Sequence, residues 1–328
     1  MFIFVAGFAY YHFVYVPAHH VPLEIAYVLP LTAVVVDTPA EIRLDVEEVR
    51  NGDRVEVLSR TRSWAHIRLV DGKSGWIELK DLLDSQTYDR GQQLIREMEA
   101  SQVQARGHVS GEVNVRLEPS RQSPQLTVLH PNDQVEVFGR RLVKRPAENS
   151  DTATSPEAGE GASGAATVRD AWYLVRSGSH GGWVLGRFVA LDIPTEIESY
   201  AQGVNTVAWV VLKTVDDNGR KVPEYLVADR IGMQEFDFNH IRVFTWWIKK
   251  QAYATAYAES DVDGYFPIRT TLVGDTPYFR LRMLDHHGRK IQRVYGMFDT
   301  IVRPLGFVEG WESDAIPARP VTRSKHRR

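Results

Sequence analysis

Apolar and polar residues alternate with a period of two along most of this chain, the pattern of strands with one buried face. Short alternating runs recur at 55–60 (VEVLSR), 64–69 (WAHIRL) and 75–79 (GWIEL), and again at 135–140 (VEVFGR), 171–177 (AWYLVRS) and 182–186 (GWVLG). Gly, Asn and Asp at the joints between runs predict tight turns. From Val204 to about Leu305 the reading is strand after strand, separated by turn signals such as Asp217-Asn218-Gly219, Asp263-Gly264, Gly274-Asp275 and His287-Gly288. Phe279, Leu281 and Met283 alternate with Arg280 and Arg282, which predicts a sheet with one wet face. Hairpin spacing leaves no parallel crossovers in this third, so an antiparallel meander or open barrel of seven or eight strands is expected and an α/β scaffold is disfavoured. The segment 85–106 breaks the pattern with a helical period. Tyr88, Gly91, Leu94, Ile95 and Met98 share one helical face there, with Asp84 or Ser85 placed to cap the first turn.

The early strands are two copies of one unit. An offset of 80 residues aligns Val35 with Val115, Asp53 with Asp133, Val55-Glu56-Val57 with Val135-Glu136-Val137 and Arg60 with Arg140. After an insertion the register resumes with Trp64, Ile67 and Arg68 against Trp172, Val175 and Arg176, then Gly75-Trp76-Ile77 against Gly182-Trp183-Val184. A unit this small must curl into a barrel to bury both faces of its sheet. The insertion includes 146–167, which has no Ile, Leu, Val, Met or aromatic residue and is therefore expected to be a disordered loop.

The repeated features resemble the bacterial Src-homology-3-type (SH3b-like) domain: Asn114-Val115-Arg116 at the start, Asn51-Gly52-Asp53 before a Val-x-Val strand, Trp before the next strand and Gly-Trp before the last. The first copy departs at the start, with Val34-Val35-Val36, and the second varies the turn as Pro131-Asn132-Asp133. The order VPEYLV, FDFNHIRVFTWWIKKQAYATAY and GYFPI resembles the last domain of tandem proteins of this kind in the bacterial envelope. The expected fold class is mainly β: two small SH3-like β-barrels (26–84 and 107–193) joined by an amphipathic helix, then an all-β domain at 198–308 and a basic tail at 309–328.

Ahead of the first barrel, Phe2 to Val16 is an uncharged apolar run, short for a membrane span of about 20 residues but suited to a signal-peptide core. Cleavage after Ala18 is expected, although the first basic residue is Arg43, so the usual positive leader is missing. Export to the envelope, with possible membrane association through this segment, is the reading; a buried element is its alternative.

Composition narrows the chemistry. With no cysteine there is no disulfide, thiolate metal site or cysteine nucleophile, and a net charge of -3 argues against nucleic acid as partner. His19-His20 and His286-His287 lack metal-ligand spacing, and no nucleophile elbow, phosphate loop or dinucleotide fingerprint occurs. Gly178 to Gly182 falls where the first copy has the turn Asp71 to Gly75. No catalytic residue, metal ligand or cofactor is therefore expected. The binding candidates are Trp64, Trp172, Tyr173, Trp246 and Trp247, aromatics that could line a groove. Trp76 and Trp183, each after Gly at the start of a closing strand, read as core. The expected function is a non-catalytic binding or scaffold protein of the envelope that contacts cell-wall polymer or a peptide. Its alternatives are a wall hydrolase with a pocket around Asp237, His240 and Asp261, and an intracellular adaptor. The resemblance also implies wall peptidases as frequent companions of such barrels, commonly with the cysteine this chain lacks.

Overall fold

The structure is a computed structural model that describes residues 22–145, 169–232 and 235–317. The apolar N-terminal run with its cleavage site, the insertion at 146–167 and the basic run Arg319 to Arg328 lie outside the described residues. Contacts divide the chain into two units. Unit 1 takes the described residues through Leu94 with Asn114–Glu118 and Gln122–Val128; unit 2 takes Ile95–Val113, Pro119–Arg121 and the described residues from Leu129 onward.

The described residues form three seven-stranded antiparallel sheets, so the chain is mainly β. In unit 1 the strands are β1 (Glu24–Val28), β2 (Thr32–Val36), β3 (Asp45–Arg50), β4 (Arg54–Arg60), β5 (Trp64–Arg68), β6 (Ser74–Glu78) and β7 (Leu82–Asp84), in spatial order β3-β2-β6-β5-β4-β1-β7. A 3-10 turn at Leu79–Asp81 precedes the last strand. The second copy contributes β8 (Ala105–Val109), β9 (Val113–Arg116), β10 (Gln125–Leu129), β11 (Gln134–Lys144), β12 (Arg169–Ser177), β13 (His180–Leu185) and β14 (Val189–Leu191). Its run β13-β12-β11-β8-β14 within unit 2 repeats β6-β5-β4-β1-β7 strand for strand, and β9-β10 repeats the hairpin β2-β3. A 3-10 turn at Gly186–Phe188 again precedes the last strand.

The repetition extends to individual bonds. Gly52 and Asn132, equivalent under the offset of 80 residues, take positive φ of 85° and 70°. Beside them, Asp53 accepts from the Arg50 amide and Asp133 from the His130 amide, each at 2.8 Å. The ladder skips Leu58 in one copy and Phe138 in the other, a β-bulge at the same place, which bends each sheet. Glu56 pairs with Arg68 at 2.6 Å and Glu136 with Arg176 at 2.7 Å. Val35, Val55, Val57, Ile67 and Ile77 are buried, as are Val115, Val135, Val137, Val175 and Val184 in the matching places.

Of the two tryptophans after glycine, Trp183 is buried as expected and Trp76 is a correction. Alternation in a strand sends neighbours to opposite faces, and Ile77 and Val184 take the core side. Trp76 and Trp183 consequently point to the other face. Trp76 is half-buried against His66, and Trp183 is buried beneath Arg141.

The spacer is helix α1 (Ser85–Glu99), capped by Asp84, which accepts from the Thr87 amide at 2.9 Å. In unit 1, Tyr88 stacks on Tyr27 at 3.7 Å between ring centroids, and Gly91 lies against Leu126. In unit 2, Met98 and Ile95 fill the space beside Gly181, where a Cβ would meet the Met98 methyl at 2.4 Å. The predicted apolar stripe is thus consumed by internal packing.

The third sheet is a meander in chain order: β15 (Asn205–Asp217), β16 (Arg220–Arg230), β17 (Phe238–Trp247), β18 (Ala252–Val273), β19 (Thr276–Leu284), β20 (Lys290–Phe298) and β21 (Ile301–Glu309). The turn expected at Asp263-Gly264 does not break the chain; β18 runs through it, pairing first with β17 and then with β19. Gly264 is required there because a Cβ would meet the Phe238 ring at 2.1 Å. One face holds a core from Val207 on β15 to Val302 on β21. The other is partly covered by helix α2 (Thr195–Ala201), whose Ile197 packs on Val222, Tyr225 and Phe244.

The wet face expected at Arg280 and Arg282 is also corrected. Arg280 is 1% exposed and donates to Thr271 Oγ1 and the Asp314 carbonyl, while Arg282 pairs with Glu312 at 2.7 Å. Residues after β21 cross this face as an acidic strap, fixed also by Trp311 Nε1 donating to the Met283 carbonyl. The described part of the expected tail carries Glu309, Glu312 and Asp314, and its basic run lies outside the described residues.

These faces predict an inverted ranking of two substitutions in the first copy. Ile77→Ala is expected to cost roughly 2 to 5 kcal/mol, as large-to-small changes in closed cores do, and Trp76→Ala distinctly less. Denaturant melts of both variants check the order; a larger loss at Trp76 would contradict it.

Candidate functional site

One cleft, about 480 Å³, lies within unit 2 where the second copy meets β18. Its walls are Phe138 to Arg141 on β11, Leu174 and Trp183 on β12 and β13, the end of α1, and Phe266 to Thr271 on β18, with Arg282 and Asp314 at one end.

Two devices hold these walls together. Gln104, fully buried, uses its side-chain amide as a strand would: Nε2 donates to the Ile268 carbonyl at 3.0 Å and Oε1 accepts from the Ile268 amide at 2.7 Å. Gln102 repeats the bond one step along, accepting from the Thr270 amide at 3.0 Å. The second device is the pair Arg140–Asp237 at 3.1 Å, with both side chains under 10% exposed. Arg140 also donates to the Asp237 carbonyl, and the other carboxylate oxygen accepts from the Phe266 amide. Burial raises the Asp237 carboxyl above its usual range despite the opposing guanidinium, and it raises the Tyr173 hydroxyl beside Arg140 as well.

The cleft is cationic on one side. Arg141 is exposed, lies 5.2 Å over the Trp183 ring, and has no ion-pair partner among the described residues. The Nε–H groups of Arg140 and Arg282 are buried and find no acceptor among the described residues. Phe138, Leu174, Met98 and Pro267 supply apolar surface, and Glu97, Ser101, Gln102, Thr270, Thr271 and Asp314 supply polar surface. Such an arrangement can take a ligand that bears a carboxylate and further polar groups.

The structure scatters the aromatic candidates. Trp172 is 2% exposed and Tyr173 is 7%, so both are enclosed, as is Trp183 at 7%, whose ring serves as the seat of Arg141. Trp64 is half-buried, with Arg43 over its ring at 5.3 Å. Trp247 is exposed and carries Lys250 at 4.0 Å from its centroid. Trp246 is half-buried on the α2 side, where its indole N–H donates to Asp217 at 2.9 Å. Nor do the acids and histidine proposed for a hydrolytic pocket gather. Asp237 belongs to the Arg140 pair, and His240 is held by buried Asp229 at 3.2 Å. Asp261 sits exposed at a φ of 59°. No group of three or more His, Asp or Glu among the described residues could hold a metal ion. No helix among them is long and apolar enough to cross a membrane.

Sequence reading missed Arg141 and placed Trp183 in the core. Strict alternation with Val184 carries the signal for Trp183, since both cannot face one core.

No family model and no curated protein matches the chain. Solved structures do. A NlpC/P60 family protein from Bacillus cereus is 11% identical at a TM-score of 0.22, covering 71% of this chain and 93% of its own. NlpC2 from Trichomonas vaginalis is 10% identical at 0.18, covering 74% and 98%, and NlpC1 from the same organism is 10% identical at 0.17, covering 71% and 87%. The expectation of a non-catalytic chain is withdrawn on this finding, because the similar structures bear the NlpC/P60 description. TM-scores of 0.22 and below give no residue here a catalytic role.

Glu224 supplies a pH test near Trp246. It is 1% exposed; Oε1 accepts from the Trp246 amide at 3.2 Å, Oε2 has no hydrogen-bond partner among the described residues, and Lys213 forms an ion pair with it at 3.6 Å. Burial raises its carboxyl above the ordinary range. The stability tied to the protonated form is full below the unfolded value of about 4.3 and is lost as pH rises through the folded one. Glu224→Gln cannot ionise, so its melting temperature should match wild type near pH 4 and exceed it by roughly 1 °C or more at pH 7. Thermal melts at the two pH values decide; a variant that gains nothing on going to pH 7 would contradict the account.

Proposed function

We propose that the two repeated sheets are SH3-like barrels of a cell-envelope protein, and that the cleft at Arg141 and Trp183 takes a carboxylate-bearing peptide segment of the cell wall. The barrel reading is supported by the shared strand run, bulge, turn and 3-10 turn before the last strand. The observation that carries the ligand is Arg141, a guanidinium over an aromatic ring with no carboxylate of its own among the described residues. Envelope location follows the resemblance of the tandem repeat to proteins of that compartment.

Purified sacculi test the proposal with the full chain. Wild type should sediment with them, and Arg141→Glu should lose about tenfold or more in apparent affinity, since it places like charges together in a half-buried site. Trp183→Ala should lose a similar factor. Equal retention of all three folded proteins would remove the cleft from wall binding. Soluble fragments released from the sacculi by wild type would add hydrolysis to binding.

A further inference from the structure

We infer that a second cleft in unit 2, on the α2 side of the third sheet, is a saccharide-binding site. It is independent of the carboxylate cleft and has a volume of about 380 Å³. Trp246, Tyr253 and Tyr200 form its aromatic surface. Glu196, Ser199, Arg220, Lys221 and Gln251 surround that surface with donors and acceptors of both charges.

The chemistry of this lining selects among ligand classes. A cation trapped among aromatics would face Arg220, which lies 4.8 Å over the Trp246 ring, and Lys221. An anion would face Glu196, and a lipophile would cover polar rim groups, among them Arg220 paired with Asp217 and Lys221 paired with Asp216, and strip them of water. A sugar ring fits both parts. Its C–H face packs on an aromatic ring, while its hydroxyls are donors and acceptors that the mixed rim can satisfy.

The aromatic surface is held in advance of any ligand. Trp246 meets Tyr253 edge-on at 5.1 Å, and its indole N–H is fixed by Asp217, which is itself 6% exposed. The other hydrogen bond to Asp217 Oδ2 comes from Gln251 Nε2 at 2.7 Å. One buried carboxylate thus sets both the ring and a rim amide. Gln251 sits at a φ of 50°, a left-handed conformation that is costly for a residue other than Gly, Asn or Asp and concentrates at ligand clamps. Tyr200 is tied in by its hydroxyl, which donates to the Tyr253 carbonyl at 3.0 Å.

The test titrates the full chain by calorimetry with three neutral tetrasaccharides: chitotetraose, cellotetraose and maltotetraose. At least one should bind saturably. Trp246→Ala should weaken that binding by about tenfold or more, as loss of a central aromatic does, and Trp246→Phe should fall between, keeping the ring but losing the bond to Asp217. Trp183→Ala, in the other cleft, should bind sugar as wild type does even if it no longer binds sacculi. Circular dichroism confirms that each variant is folded; if Trp246→Ala is not, Gln251→Ala takes its place with the same expected direction. The inference is overturned if none of the three sugars binds folded wild type, if the cleft variants bind as wild type does, or if Trp183→Ala loses sugar binding equally.

Discussion

A buried guanidinium must be paired, and the pair Arg140–Asp237 places that requirement between the second copy and the third sheet. Arg140 stands on β11, in the tandem repeat, while Asp237 precedes β17 and has its other oxygen on the Phe266 amide of β18. Desolvating both charges is expensive, and the cost is recovered only while the geometry holds. Gln104 sets the same boundary by supplying a side-chain amide to the main chain of β18. Both clefts lie in the unit that these contacts organise, and the larger one has Arg140 and Ile268 in its walls.

The two copies show how one pattern serves two surroundings. Their inner faces keep the same small aliphatic core, the same bulge and the same Glu–Arg pair. Their outer faces differ. Trp64 and Trp76 of the first copy stay half-buried, whereas Trp172 and Trp183 of the second are buried, and Trp183 forms a wall facing β18. Repetition conserves what a small sheet needs to fold, and the face left over is free to be used differently in each copy.

Most of the strand pattern was legible because alternation, turn residues and the repeat all encode local geometry. The offset placed Val35 with Val115 and Gly52 with Asn132, and the structure gives those pairs matching burial and matching positive φ. Misreadings arose where tertiary packing overrode period two. Arg280 and Arg282 looked solvated, yet the acidic segment at Glu312 to Asp314 crosses them, a contact that no local window contains. Gly264 looked like a turn, but it is the gap that the Phe238 ring needs within one long strand. Candidate sites were less legible, since Arg141 and Trp183 become a pair only across the β11–β12–β13 ladder. The aromatic richness of the third sheet pointed to Trp246, while its anchor Asp217 and the αL residue Gln251 were visible only in the fold.

The most direct measurement of this account is a double-mutant cycle at the buried pair, using Arg140→Met, Asp237→Leu and the combination, with unfolding of the full chain followed in denaturant. Each single change strands a charge or leaves its partners unmet and should cost roughly 3 to 5 kcal/mol. The double variant strands no charge, leaving only the Phe266 amide and the Asp237 carbonyl without those partners, so it should lose less than the sum, with a coupling of at least about 1 kcal/mol. Additive losses, or single variants within about 0.5 kcal/mol of wild type, would show that the pair does not organise unit 2 and would contradict the account.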